Sequence, residues 1–122
     1  MPDDAPRRRI RYLAPMQHYL VFCTCPDLDC ARDLAQRLVR DRLAACVNIV
    51  PTVHSVYEWQ GELQQDTECL LQIKTRAERY AALEQTLRRH HPYELPEIIA
   101  VPLSAGLPAY LDWINHQTEN NE

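Results

Sequence analysis

Glycine is nearly absent, with only Gly61 and Gly106 in 122 residues. Loops that cradle phosphates, and the turns that bind dinucleotides, need closely spaced glycines so that the backbone can approach the ligand. Neither is available here in its usual form. Serine is just as scarce. Ser55 and Ser104 are the only two, and neither stands in the Gly-x-Ser-x-Gly elbow that exposes a nucleophile. No His-Glu-x-x-His occurs, and Lys74 is the single lysine. No apolar run approaches the roughly 20 residues of a membrane-spanning helix, and "MPDDAPRRRIRYLAP" lacks the apolar core of a secretory signal. Nothing in these absences argues for an enzyme. They lead to the expectation of a soluble, intracellular protein with no membrane-spanning segment.

Cysteine is present without a framework. Cys23, Cys25, Cys30, Cys46 and Cys69 make an odd count, which with no secretory signal implies reduced thiols. The spacing of Cys23, Cys25 and Cys30 does not match the Cys-x2-4-Cys pairs, in two sets, of a structural zinc site. Each thiol therefore reads first as a core residue.

The formal charge of −4 is unevenly spread. Residues 1–15 hold Arg7, Arg8, Arg9 and Arg11 against Asp3 and Asp4, a balance of +2 that leaves −6 on the rest. So acidic a body suits a phosphate backbone poorly, so no nucleic-acid partner is expected. With three prolines, residues 1–15 read as a disordered basic arm and residues 16–122 as one domain.

Along that domain, "HYLVFCT" reads as a covered strand. Asp27 or Asp29 is placed to cap a helix in which Ala31, Leu34, Ala35, Leu38, Val39 and Leu43 recur at helical spacing. "ACVNIV" is a second strand, parallel to the first across that helix, and Pro51 after it marks a kink or bulge. "TVHSVYEW" and "TECLLQIKT" form a hairpin joined through "QGELQQD". Thr75-x-x-Glu78 resembles a capping box, which predicts a second helix from about Arg76 to His90, closed by Pro92. A last strand follows over Glu97 to Leu103, then a helix from Pro108 with Tyr110, Leu111 and Ile114 on one side.

The order β-α-β-β-α-β with an added C-terminal helix is that of an α+β ferredoxin-like split βαβ sandwich, with helices on one face of a four-stranded antiparallel sheet. Tyr57 and Trp59 lie on one side of their strand and Val56 on the other. One layer of helices covers one face, so bulk on both predicts a homo-oligomer.

The stretch "RRHHPYELPEI" is the densest in chemistry. Neighbouring helical residues point about 100° apart, so His90 and His91 do not naturally converge on one ion. The break before Pro92 relaxes that limit. The alternative is a basic helix end, in which Arg88, Arg89, His90 and His91 complement the helix dipole.

"HYLVFCTCPD", "RLAACVNI", "SVYEWQGEL", "LLQIKT", "HHPYELPEII" and "YLDWI" occur together and in order. As a set they resemble the CutA divalent-cation tolerance family, from about Tyr19 to Gln117. The resemblance implies a cytoplasmic homotrimer that binds copper, or another divalent cation such as zinc, and contributes to metal tolerance. Carried over by residue, it implies metal ligands at Cys23, His90 and His91, with Glu97 completing a site. Cys25 and Cys30 depart from the family pattern and leave open which thiol meets metal, or whether oxidation links them. Imidazole and carboxylate suit Cu(II) or Zn(II), and thiolate suits Cu(I) or Zn(II). A buried core thiol is the competing role for Cys23.

Two other readings stay open. One is a ligand-sensing regulatory trimer resembling the nitrogen-regulatory signalling proteins, with a small anion held near Lys74 and Trp59. The other is a structural trimerisation module. An acylphosphatase shares the fold, but fold alone warrants no activity.

Overall fold

A computed structural model describes residues 17–120. The basic-arm reading falls on residues 1–15, outside that range. Strand β1 spans His18–Cys25, helix α1 Leu28–Arg40, β2 Cys46–Trp59, β3 Glu62–Arg76, α2 Tyr80–His90, β4 Ile99–Pro102 and α3 Pro108–Gln117. A single turn of 3-10 helix, Ala77–Arg79, leads into α2.

The sheet runs in the order β2-β3-β1-β4 with every neighbouring pair antiparallel. β1 and β2 thus point the same way but are separated by β3, as a helical crossover requires. Alternation sets the faces. Val21, Cys23 and Cys25 of β1 and Cys69, Leu71 and Ile73 of β3 pack with Leu34 and Leu38 of α1 and Leu83 and Leu87 of α2 into one buried cluster. Four leucines on two helices and a row of inward strand residues supply the main apolar burial, each side chain contributing about 1.5–3 kcal/mol before entropy.

Local sequence explains most boundaries. Asp27 caps α1, its Oδ1 accepting from the Cys30 N–H at 2.8 Å. Arg42 ends that helix at φ 59, in the place usually left to glycine. Its guanidinium donates to the carbonyls of His116, in the last turn of α3, and of Glu119 just past it. Pro51 lies in a bulge, where Val50 opposes Leu70 and Val53 opposes Glu68, so β2 carries one extra residue. The Cys69 Sγ donates to the Pro51 carbonyl at 3.2 Å, engaging a backbone group within the interrupted ladder.

Three expectations need correction. The hairpin turns on Gln60 and Gly61 alone, at φ 52 and φ 81, so "ELQQD" is strand and not loop. Two residues at positive φ make the tight turn that matches strand twist. Thr75 does not cap a helix: it is buried at an inward position of β3 and its hydroxyl donates to the Leu43 carbonyl at 2.7 Å. β4 is shorter than Glu97 to Leu103, because only Ile99–Pro102 pair with β1.

Candidate functional site

The chemistry gathers where the turn after α2 meets the outer part of the hairpin. His91 ends α2 in an extended conformation, at φ −79 and ψ 140, as the following proline requires. That swing turns its ring inward. Nε2–H donates to the Thr24 carbonyl at 2.8 Å, and Nδ1 accepts from the Tyr93 N–H at 3.1 Å. Both nitrogens are thus engaged by backbone, and the ring fastens the 92–97 turn to the end of β1. The Tyr93 ring packs on that of His91, with centroids 4.8 Å apart. His90, one residue earlier and still helical, is exposed. The two histidines part at the helix end.

Cys23 is fully buried on the helix-facing side of β1, with Sγ directed at the Thr24 carbonyl at 3.7 Å. Burial, and after it the carboxylate of Glu97, pushes its thiol up to about 12. As a thiol it is a core residue. Glu97 is exposed, close enough for its charge to be felt at Cys23. Among the described residues, no three His, Cys, Asp or Glu side chains are grouped to hold a metal ion. A single chain therefore does not bring Cys23, His90, His91 and Glu97 together as one coordination sphere.

What it does build is a cleft of about 690 Å³ between the hairpin and the 92–97 turn. Asp66 and Glu68 from β3 and Glu94 and Glu97 from the turn line it, with Tyr57, Trp59 and Tyr93 among the aromatic walls and no basic side chain in the lining. The Tyr93 hydroxyl donates to Glu68 at 2.7 Å, and the Tyr57 hydroxyl donates to Asp66. These bonds hold both phenols protonated. For Tyr93, burial comes first and the Glu68 bond second; for exposed Tyr57, the Asp66 bond leads. The cleft is electronegative and polar-floored, an arrangement that attracts cations and repels anions.

Of the residues named from the sequence as metal ligands, Glu97 lines the cleft and His91 and Cys23 lie behind it; Tyr57 and Trp59, named for their bulk on one sheet face, line it too. Asp66, Glu68, Tyr93 and Glu94 were not singled out. The available signal was two carboxylates two residues apart on one strand face, together with Glu94 and Glu97 in a proline-bounded turn. Lys74 and Trp59 are not brought together within the chain. Lys74 opposes Cys46 and Trp59 opposes Glu62, about 40 Å apart along β3 at ~3.3 Å per residue. Lys74 instead meets the Tyr110 hydroxyl of α3, at 3.4 Å.

Comparison with known proteins bears on the same segments. The family described as CutA1 divalent ion tolerance protein matches residues 19–117. The divalent-cation tolerance protein CutA of Thermus thermophilus is 46% identical over 99 residues, 81% of this chain and 96% of that protein. A CutA homolog of Xenopus laevis is 48% identical over 93 residues, 76% of this chain and 62% of that protein. The chain spans 56% of the mouse CutA protein, so the longer animal relatives extend well beyond it. Among solved structures, the Thermus thermophilus protein superposes with a TM-score of 0.82 at 44% identity, covering 84% of this chain and 99% of that one. CutA from Xylella fastidiosa gives 0.82 at 48% identity, covering 84% and 98%.

Proposed function

This chain belongs to the CutA1 divalent ion tolerance family, and from that premise we propose that it is a homotrimeric divalent-cation-binding protein of ferredoxin-like fold that contributes to metal tolerance. Copper is the first cation to test and zinc the second. The observation that carries the reading is the cleft beside the "HHPY" turn, lined by Asp66, Glu68, Glu94 and Glu97 with no basic side chain. Its oxygen donors fit a hard or borderline divalent cation, and His90, outside the lining but exposed two residues before the turn's part of it begins at Pro92, offers an imidazole. The same charge pattern disfavours a small anion in this cleft. Family names state a tolerance and no reaction, in keeping with a binding role.

The four side chains implied by the resemblance differ in what coordination demands of them. Glu97 and His90 are exposed and are offered as they stand. His91 has to leave two backbone bonds, and Cys23 has to lose a proton that burial holds tightly. We assign first contact to Glu97 and His90, with a second copy of the chain completing the sphere. A cytoplasmic location belongs to the same reading and rests on the odd, unpaired set of cysteines.

Calorimetric titration of the purified protein with Cu2+, repeated with Zn2+, tests this. Binding at a fixed ratio per subunit is expected, weakened about tenfold or more in Glu97→Gln and in His90→Ala, with sedimentation showing the same oligomer throughout. A tenfold loss corresponds to about 1.4 kcal/mol, the scale of one charge-assisted contact. Equal affinity in wild type and both variants overturns the assignment.

A further inference from the structure

The cleft is floored by a strip of sheet with no layer above it. Ser55 pairs with Asp66 and Tyr57 with Gln64, so alternation puts Ser55, Tyr57 and Trp59 of β2 on one face with Asp66 and Glu68 of β3. Cys69, Leu71 and Ile73 turn the other face to the helices. Tyr57 and Trp59 are exposed, and Glu94 and Glu97 join them from the turn. Two of the four carboxylates accept from phenols, but a phenol brings no positive charge. Among the described residues the ion pair is Arg37 with Asp33, so the cleft's carboxylates meet no cation there.

The complement stands in the same chain. Residues 7–11, "RRRIR", set four arginines around one isoleucine. A guanidinium fork matches a carboxylate and also stacks on an aromatic ring. Reach is sufficient. β1 begins at His18, and Thr24, six residues on, lines the cleft, about 20 Å away at ~3.3 Å per residue. Thr24 opposes Leu70, which puts Glu68 about 7 Å and Asp66 about 13 Å farther along. Extended chain from Arg9 to His18 spans up to about 30 Å, and from Arg7 up to about 36 Å. Contact therefore needs no second copy.

We propose that residues 7–11 of the basic arm dock along this cleft in their own copy of the chain, their guanidiniums pairing with its carboxylates and stacking on Tyr57 and Trp59. Charge selects this occupant. Residues 16–122 carry −6 against the arm's +2, so the domain of a second copy meets the cleft with like charge overall, and an anionic partner is repelled outright. A docked arm covers carboxylates that, on the cation reading, receive metal, and so competes for them. The docking itself does not depend on that reading.

The test uses full-length protein stripped of metal with a chelator, so that its outcome is separate from cation binding. Brief tryptic digestion at low salt is followed by intact mass, which reads cleavage after Arg7, Arg8, Arg9 and Arg11. Cutting tracks the undocked population, so the arm of Asp66→Asn/Glu94→Gln is expected to be cut about tenfold faster than that of wild type. Cuts within residues 17–120 should keep their rate. Trp59 gives a second readout, because Trp113→Phe leaves it the only tryptophan. Replacing the four arginines by glutamine in that background is expected to shift its emission to the red, as the ring returns to water, with the far-ultraviolet circular dichroism unchanged. Equal arm cleavage in wild type and the cleft variant, or Trp59 emission indifferent to the arm, overturns the proposal. Wild-type protection that disappears as the protein is diluted to single subunits places the arm in a neighbour's cleft and overturns docking within one copy.

Discussion

Leu63 and Leu71 are the same residue on the same strand, and their even separation puts them on the same face. Leu71 is 0% exposed and Leu63 is 70% exposed. Each has a partner across the ladder, Ile49 for Leu71 and Glu58 for Leu63. The difference is the layer above. α1 and α2 cover the inner half of β3, while the hairpin beyond the Pro51 bulge runs past them with Val56, Tyr57, Trp59 and Leu63 all exposed. Strand pairing needs alternation and a good turn, whereas burial needs a second layer. The outer hairpin has the first without the second. A homotrimer, as proposed, supplies the missing layer from neighbouring copies.

The largest effect is expected on the covered side. Leu71→Ala removes a fully buried side chain from the cluster that also holds Leu34, Leu83 and Ile73. Loss of transfer energy and the cavity left behind together give about 2–5 kcal/mol. Urea unfolding at fixed protein concentration measures it. A loss under about 1 kcal/mol would mean that the two halves of β3 differ less in energy than in exposure.

The sequence disclosed the covered half well because its periodicities are long and consistent. The covered strand read in "HYLVFCT", the leucine spacing of α1 and Pro51 as an interruption all correspond to observed features. It misled where one side chain has two chemically equal uses. The Thr75 hydroxyl suits a helix N-terminus as well as the Leu43 carbonyl, and the inward position of β3 decides for the latter. The resemblance implies a ligand role for both His90 and His91, and within one chain the break at Pro92 buries one ring and exposes the other. The cleft itself was out of reach. Thr24, residues 55–68 and residues 92–97 meet there only because β1, β3 and the turn after α2 converge in three dimensions. No local spacing encodes that convergence.

A second expected effect, smaller and confined to alkaline solution, also belongs to the covered side. Folding holds the Cys23 thiol at about 12 against an ordinary 9.0, with burial as the main cause. A raised folded value means that the native state binds the proton more tightly than the unfolded chain. The stabilisation is complete below about pH 9 and is lost as pH rises toward 12. Cys25, also pushed up by burial, and Tyr93 act in the same direction. The fully buried Cys23 thiol contributes a slope of about 1.4 kcal/mol per pH unit inside its window. Stability profiles of wild type and Cys23→Val are expected to diverge above pH 9 by about that slope, the variant falling less steeply. Parallel profiles would show that Cys23 titrates as if exposed.

The smallest effect on the chain itself, and the sharpest for the comparison, is expected at Leu63. Leu63→Ser touches no buried contact within one chain, so the isolated subunit should change by no more than about 0.5 kcal/mol. If copies of the chain cover the hairpin, the cost appears in assembly. Sedimentation equilibrium over a dilution series should then show the variant dissociating at higher concentration than wild type, with the thermal midpoint becoming more dependent on concentration. Circular dichroism of the dissociated variant should still show an intact sheet, since the Gln60–Gly61 turn and the backbone ladder are unchanged. An oligomer equally stable in both proteins would place the subunit contacts elsewhere. The exposed leucine would then be one of the scattered apolar surface residues that soluble proteins carry without consequence.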